Sequence, residues 1–305
     1  VTDFALDDPF DRRPALPRPG RLLRQAADSI PPSSLVLLSI VSVQLGAAFA
    51  KNLFAVLPPS AVVFLRIAAG GLIMAAVARP KLRGLGWRDW AVGAGFGLTL
   101  ALMNLSYYEA LSRLPMGVAV AIEFLGPLGV AVAASRRRLD LAWIGLAGLG
   151  VALLAPWGQQ ASAAWWLGIG FALVAGACWA AYILLSAAAG RRFPGTTGLS
   201  FAMIVSTLVI APVGVTTGGA DLLQPSLLLI GLGVGLLSSV IPYSLELHAL
   251  RRMPKHVFGI LMSLEPAVAA LAGVLVLGEV LHVQQWAAIV CVVAASLGST
   301  RMTGR

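Results

Sequence analysis

The sequence predicts an all-α integral membrane protein with ten transmembrane helices arranged as two inverted five-helix repeats. Three observations predict it: long apolar runs, a one-sided distribution of basic residues, and an internal match between the two halves of the chain. Of the 305 residues, 58% are hydrophobic and only 11% charged, against roughly 25% charged in soluble domains. Mean hydropathy is +0.87. Apolar runs of about 20 residues recur, the length of helix that crosses a hydrocarbon core, and helices satisfy their backbone within lipid over such lengths.

The runs place spans near residues 35–55, 58–78, 89–111, 115–134, 139–157, 163–189, 196–216, 226–250, 254–277 and 281–299. Residues 1–34 are rich in Pro, Arg and Asp and have no apolar core, so they read as a polar cytoplasmic arm rather than a signal peptide. Residues 35–157 then form a first five-helix repeat, 163–299 a second, and 300–305 a cytoplasmic tail. Of 22 Lys and Arg, 19 fall in the arm, the tail and alternate loops, while the opposite loops carry only Arg113. That bias orients both termini toward the cytoplasm and requires an even number of spans. Trp157, Trp165 and Trp166 then mark the outer interface, and Trp87, Trp90 and Trp143 the inner one. The basic residues flank apolar runs and form no aromatic-interleaved face, which excludes nucleic acid as a partner and leaves the lipid bilayer.

The internal match rests on glycines and prolines. Gly93, Gly95 and Gly97 correspond to Gly231, Gly233 and Gly235 at an offset of 138, and ALSRLP at 110–115 to ALRRMP at 249–254 at an offset of 139. The second offset also carries Pro127 onto Pro266. Five spans per half is an odd number, so the halves lie in opposite orientations, as in secondary transporters with a midplane site between repeats. The glycine triplets lack the strand–turn–helix setting of a phosphate loop and read as close helix contacts.

Lys51, Arg66, Glu123 and Glu265 fall within spans. Each costs about 2.5–3.5 kcal/mol at a helix centre, so together they are expected to face a shared, partly hydrated interior. At 1.5 Å per residue, Arg66 and Glu123 lie about 12 Å from the outer face and Glu265 about 14 Å, near the midplane, with Lys51 at about 6 Å. Arg66 either pairs with Glu123 or contacts substrate. Lys51 either joins the cavity or extends toward the outer interface. Glu246 follows Pro242, Tyr243 and Ser244 near a span end, where interfacial solvation and a functional role are both open readings. His248 and His256 lie near the inner surface. Gln44, Trp179 and Tyr243 either line the cavity or fill helix contacts.

Prolines follow the two central carboxylates. A proline lacks an N–H and clashes with the carbonyl four residues back. Pro266 is therefore expected to release the carbonyl of Met262, and Pro127 that of Glu123. Pro127, Pro266 and Pro242 are the expected hinges. Such irregular backbone is tolerated at membrane depth only where it lines a cavity or is buried in protein. Cys178 and Cys291 have no metal or redox spacing and read as small buried residues. No cofactor or metal site is expected.

Several short stretches carry a family resemblance: Ala50–Phe54 (AKNLF), Leu65-Arg66, Glu123–Leu128 (EFLGPL), Ser135-Arg136-Arg137, Gly176–Ala180 (GACWA), Pro242–Glu246 (PYSLE) and Leu261–Pro266 (LMSLEP). In this order and spacing, over roughly residues 33–300, the chain resembles the drug/metabolite transporter superfamily of EamA type, and within it the bacterial threonine/homoserine exporters. The resemblance implies ten helices in two inverted repeats and export of small amino acids across the bacterial inner membrane, with protons as the coupling ion. Two basic and two acidic groups make a nearly neutral cavity, which suits a zwitterion. Burial favours the neutral form of a carboxyl, which makes Glu265 and Glu123 the candidates for proton coupling. Other metabolites or drugs on the same fold are the nearest alternative. A passive channel is another. An intramembrane enzyme is disfavoured because no His/Asp/Glu cluster or Ser–His pairing falls mid-membrane.

Overall fold

The computed structural model describes residues 30–78, 80, 84–133, 140–154, 162–193 and 196–303, and every regular element among them is helical. The greater part of the expected N-terminal arm lies outside the described residues, as do Arg136, Arg137 and Arg138 and the expected interface residue Trp157. In chain order the α-helices are α1 (Pro32–Asn52, extended by a 3₁₀ turn Leu53–Ala55), α2 (Pro59–Ala78), α3 (Trp87–Leu111), α4 (Met116–Glu123), α5 (Leu125–Ala133), α6 (Asp140–Leu154), α7 (Ala163–Arg192), α8 (Thr197–Gly218), α9 (Pro225–Gly235), α10 (Ile241–Leu250), α11 (Lys255–Met262), α12 (Glu265–Leu277) and α13 (Val283–Thr303).

Seven helical stretches among the described residues are long and apolar enough to cross a membrane: Pro32–Ala55, Pro59–Ala78, Met116–Ala133, Ala163–Arg192, Thr197–Leu223, Pro225–Leu250 and Val257–Leu277. Two more apolar helices, Ala142–Leu154 and Val283–Ser299, are shorter. α3 stands apart because its second half carries Asn104, Ser106, Tyr107, Tyr108 and Glu109. The outside of the bundle is apolar: Leu72, Leu208, Leu229 and Leu275 are all at least 67% exposed. Large aliphatic side chains left on the surface while Arg66, Glu123 and Glu265 are buried reverse the soluble pattern, as lipid solvation requires. The protein is a multi-pass membrane protein.

Small residues set the packing. Ala47, Ala48, Ala50, Ala119, Ala121, Ala172, Ala175, Ala269 and Ala270 are essentially inaccessible, which lets backbones approach closely. A Cβ added to Gly117 of α4 would stand 2.6 Å from the Cβ of Ala270 on α12. α1 packs along α10 and α12, α4 along α12 and α7, and α2 along α8 and α9. The helices that carry the intramembrane charges therefore share one interior.

Two of the long stretches are broken at their centres. α4 ends at Glu123, and Phe124 follows with φ −64° and ψ −13°; α5 begins at Leu125, two residues before Pro127. α11 ends at Met262, and Ser263 follows with φ −63° and ψ −14°; α12 begins at Glu265 with Pro266 in its first turn. The cause is the one the sequence predicts, since a proline cannot close the preceding helical turn. A third interruption is a wide turn, Leu236–Val240, between α9 and α10, just ahead of Pro242. Such π-type turns open the backbone ladder at the residues a proline disturbs.

Candidate functional site

The site forms where α1, α2, α3, α4, α12 and the wide turn before α10 converge. Gln44 of α1 donates its side-chain amide, through Nε2, to Oε1 of Glu265 at 3.2 Å. Both residues are buried, at 2% and 7% exposure. The second carboxyl oxygen of Glu265 and Oε1 of Gln44 have no hydrogen-bond partner among the described residues. Glu265 opens α12, so its backbone sits at the break created by Pro266.

Arg66 of α2 is 7% exposed. Its Nη1 donates to the Tyr108 hydroxyl at 3.3 Å and its Nη2 to the Ser238 carbonyl at 3.1 Å. The guanidinium carbon also lies 5.5 Å from the centre of the Tyr108 ring, within cation–π range. Nε is unpartnered. Ser238 is four residues before Pro242, so its carbonyl is the one that the proline ring displaces. Ser42 of α1 donates to the neighbouring Leu237 carbonyl at 2.7 Å. Arg66 and Ser42 thus satisfy the backbone that the wide turn leaves open.

No ion pair joins Arg66 to Glu123; the three salt bridges among the described residues lie elsewhere. Of the two roles open to Arg66, the direct pair is therefore not the arrangement observed. Glu123 is 7% exposed and close enough to Arg66 and Glu265 for the charges to interact. The carbonyl of Glu123 faces Gly176 of α7, where an added Cβ would come within 2.7 Å of that oxygen. Trp179, one turn later on α7, packs edge-on against Phe124 with ring centres 5.5 Å apart. Tyr243 of α10 lies within electrostatic reach of Arg66 and Glu265 and within hydrogen-bonding reach of Tyr182 on α7.

Lys51 stands apart from this cluster. Its Nζ contacts Oε1 of Glu279 at 2.7 Å and donates to the Leu114 carbonyl at 2.7 Å. Oε2 of Glu279 accepts the backbone N–H of Met116, the first residue of α4, at 2.8 Å. Gly278, with φ +66°, turns the chain so that Glu279 folds back onto the end of α12, a left-handed conformation that glycine adopts without steric cost. The result is a clamp tying the end of α1, the start of α4 and the end of α12.

An apolar groove of about 330 Å³ runs between α5 and α7, lined by residues such as Gly129, Val130, Leu173 and Ala180. It carries no charged side chain and is not the candidate site. No group of three His, Cys, Asp or Glu among the described residues is placed to hold a metal ion.

Tyr108, Ser238, Ser42 and Glu279 belong to these arrangements but were not singled out by sequence reasoning. For Ser238 a signal existed: the four-residue rule applied to Pro127 and Pro266 names Ser238 when applied to Pro242. Tyr108, a polar aromatic in the interior half of α3, carried a weaker signal. The partnership of Glu279 with Lys51 spans 228 residues and has no local signature.

The chemical capacity of the cluster follows from its imbalance. A buried guanidinium held only by a hydroxyl and a carbonyl keeps its charge without a contacting counter-ion, which is unfavourable by several kcal/mol in effective terms. A carboxylic group with one free oxygen faces the same interior. Such a cluster can receive a ligand carrying both an anionic and a cationic group.

Comparison with known proteins adds three findings. Residues 166–301 match the profile of the EamA-like transporter family. The threonine/homoserine exporters RhtA of Escherichia coli (strain K12) and of Salmonella typhimurium (strain LT2) are each 40% identical over 269 residues, covering 88% of this chain and 91% of theirs. A solved crystal structure, 18% identical, aligns with a TM-score of 0.60 over 89% of this chain and 99% of its own, a likeness of fold.

Proposed function

The chain belongs to the EamA-like transporter family, and from that premise we propose that it exports small amino acids of the threonine and homoserine kind across the bacterial inner membrane by proton antiport. The observation that carries the reading is the pair of half-satisfied groups inside the bundle. Arg66 retains an unpartnered Nε, and Glu265, held by Gln44, retains an unpartnered oxygen. A zwitterion complements both: its carboxylate faces Arg66 and its ammonium faces Glu265. The relatives' printed activity favours threonine and homoserine within that class.

The transport cycle in this proposal uses ten spans in two inverted repeats, with both termini in the cytoplasm. The positive-inside bias supports the orientation, and the matching backbone breaks at Phe124 and Ser263 support the repeat. Breaks on the helices that carry Glu123 and Glu265 let each helix half rotate about the site, which is the motion alternating access needs. Glu265 binds a proton from the outside and releases it to the inside as substrate moves outward, with Glu123 as the second coupling carboxyl. Pro127, Pro242 and Pro266 are the hinges, and Tyr243 and Trp179 border the site.

The test is uptake of labelled threonine and homoserine into inside-out vesicles, with and without an imposed proton gradient. Gradient-dependent uptake that is lost in Glu265→Gln is the expected result. Active protein that ignores both amino acids would move the assignment to another metabolite or drug on the same fold. Accumulation that persists without a gradient would remove the antiport step.

A further inference from the structure

A further carboxyl, partly buried, lies outside the cluster. Glu246 sits on α10, four residues before its cytoplasmic end. Ser39 of α1 donates to its Oε1 at 2.5 Å. The same helix therefore holds two carboxyls: Glu246 through Ser39 and Glu265 through Gln44. Ser39 and Gln44 are five residues apart, about 7.5 Å along the helix axis. Ser42, between them, binds the opened backbone at Leu237. Glu246 is the more accessible of the two carboxyls, and Glu265 the more deeply buried.

We propose that Glu246 is the residue through which protons pass between Glu265 and the cytoplasm. The proposal rests on the proton-antiport reading and adds to it the inner limb of the path. In the inward-facing state the O–H bond of Glu265 breaks and one forms on the Glu246 carboxylate. Glu246 then gives the proton to cytoplasmic water and returns to its anionic form. One proton moves, and no electrons are exchanged with another group. Glu246 lies within electrostatic reach of Glu265, and intramembrane carboxyls in series are a recurrent form of proton relay.

The surroundings of Glu246 restrict the alternatives. Among the described residues, the titratable groups facing it are Tyr243 on its own helix, Tyr182 on α7 and Glu265 on α12; α1 contributes the uncharged Ser39. His248 lies two residues further along α10, and Arg251 and Arg252 follow at the cytoplasmic end. No salt bridge engages Glu246 among the described residues, so a structural ion pair does not account for a carboxyl at this depth. Glu246 touches none of Gln44, Arg66 or Glu265 by a hydrogen bond, which separates proton passage from substrate contact.

The experiment uses the full chain in proteoliposomes and two assays on each variant. The first is exchange of labelled for unlabelled threonine at equal pH on both sides, which needs no net proton movement. The second is threonine accumulation driven by a proton gradient. Glu246→Gln is expected to exchange within about twofold of the parent, while gradient-driven accumulation falls at least about tenfold. Glu246→Asp is expected to recover a substantial part of it. Equal loss in both assays, or parental accumulation, would overturn the proposal. A parent that exchanges threonine but ignores the gradient would instead overturn the antiport reading, and the relay with it. Ser39→Ala provides a second route should Glu246→Gln not assemble. It is expected to displace the pH profile of accumulation by about half a unit or more with exchange unchanged, and an undisplaced profile would refute the role.

Discussion

Arg66 shows how a single buried charge is handled inside a helix bundle. Its two bonds, to a phenol and to a carbonyl displaced by proline, come from the planar fork of the guanidinium, which lysine cannot reproduce. Arg66→Lys is therefore expected to lower the initial rate of threonine uptake into inside-out vesicles at least tenfold, equivalent to about 1.4 kcal/mol. A rate within twofold of the parent would show that charge alone suffices. Gly176 is the complementary case, where the absence of a side chain matters. Any Cβ there meets the Glu123 carbonyl at the α4–α5 break, so Gly176→Val is expected to cost about 2–3 kcal/mol through overpacking. Thermal unfolding in detergent reads this as a lowered midpoint. An unchanged midpoint would mean that the α4–α7 approach relaxes freely.

At the scale of elements, the broken helices are positioned by their ends as well as by their prolines. The Lys51–Glu279 clamp fastens the start of α4 to the end of α12, and these two helices carry Glu123 and Glu265 at their opposite ends. Glu279→Ala leaves Lys51 without its carboxylate and the Met116 N–H without its acceptor. The expected loss is about 2 kcal/mol, since charge-assisted bonds at a partly buried site count for more than exposed pairs. Glu279→Gln retains an acceptor for Met116 and is expected to lose about half as much. Detergent melting curves of the two variants separate the helix-capping share from the ionic share. Equal losses would place the whole effect in the ion pair.

For the molecule as a whole, the distribution of Lys and Arg predicts which side each loop faces. With Cys178 and Cys291 replaced by serine, a cysteine introduced at Val280, which is 83% exposed, is expected to react with an impermeant thiol reagent from outside intact cells. A cysteine introduced at Gly190, at the other end of the bundle, is expected to react only in inside-out vesicles. Labelling of both from one side would contradict the proposed topology. The same bundle that buries Arg66, Glu123 and Glu265 exposes Leu229 and Leu275, so lipid rather than water must solvate its perimeter.

The sequence alone determined what depends on local rules. Apolar run lengths marked the membrane helices because hydrocarbon thickness dictates them. Pro127 and Pro266 marked the two central breaks because ring sterics act within one turn. Arg66, Glu123 and Glu265 stood out because charge is unfavourable in lipid wherever it occurs. Tertiary structure alone decided the partners. Gln44 reaches Glu265 across 221 positions, Arg66 reaches Ser238 across 172, and Lys51 turns from the cluster to Glu279 across 228. No periodicity encodes these pairs, because they follow from which small-residue faces let helices meet and at what depth. For the same reason an Arg66–Glu123 pair was a fair expectation from depth alone. The packing of α3 and the opened turn before Pro242 supplied Arg66 with Tyr108 and a backbone carbonyl instead.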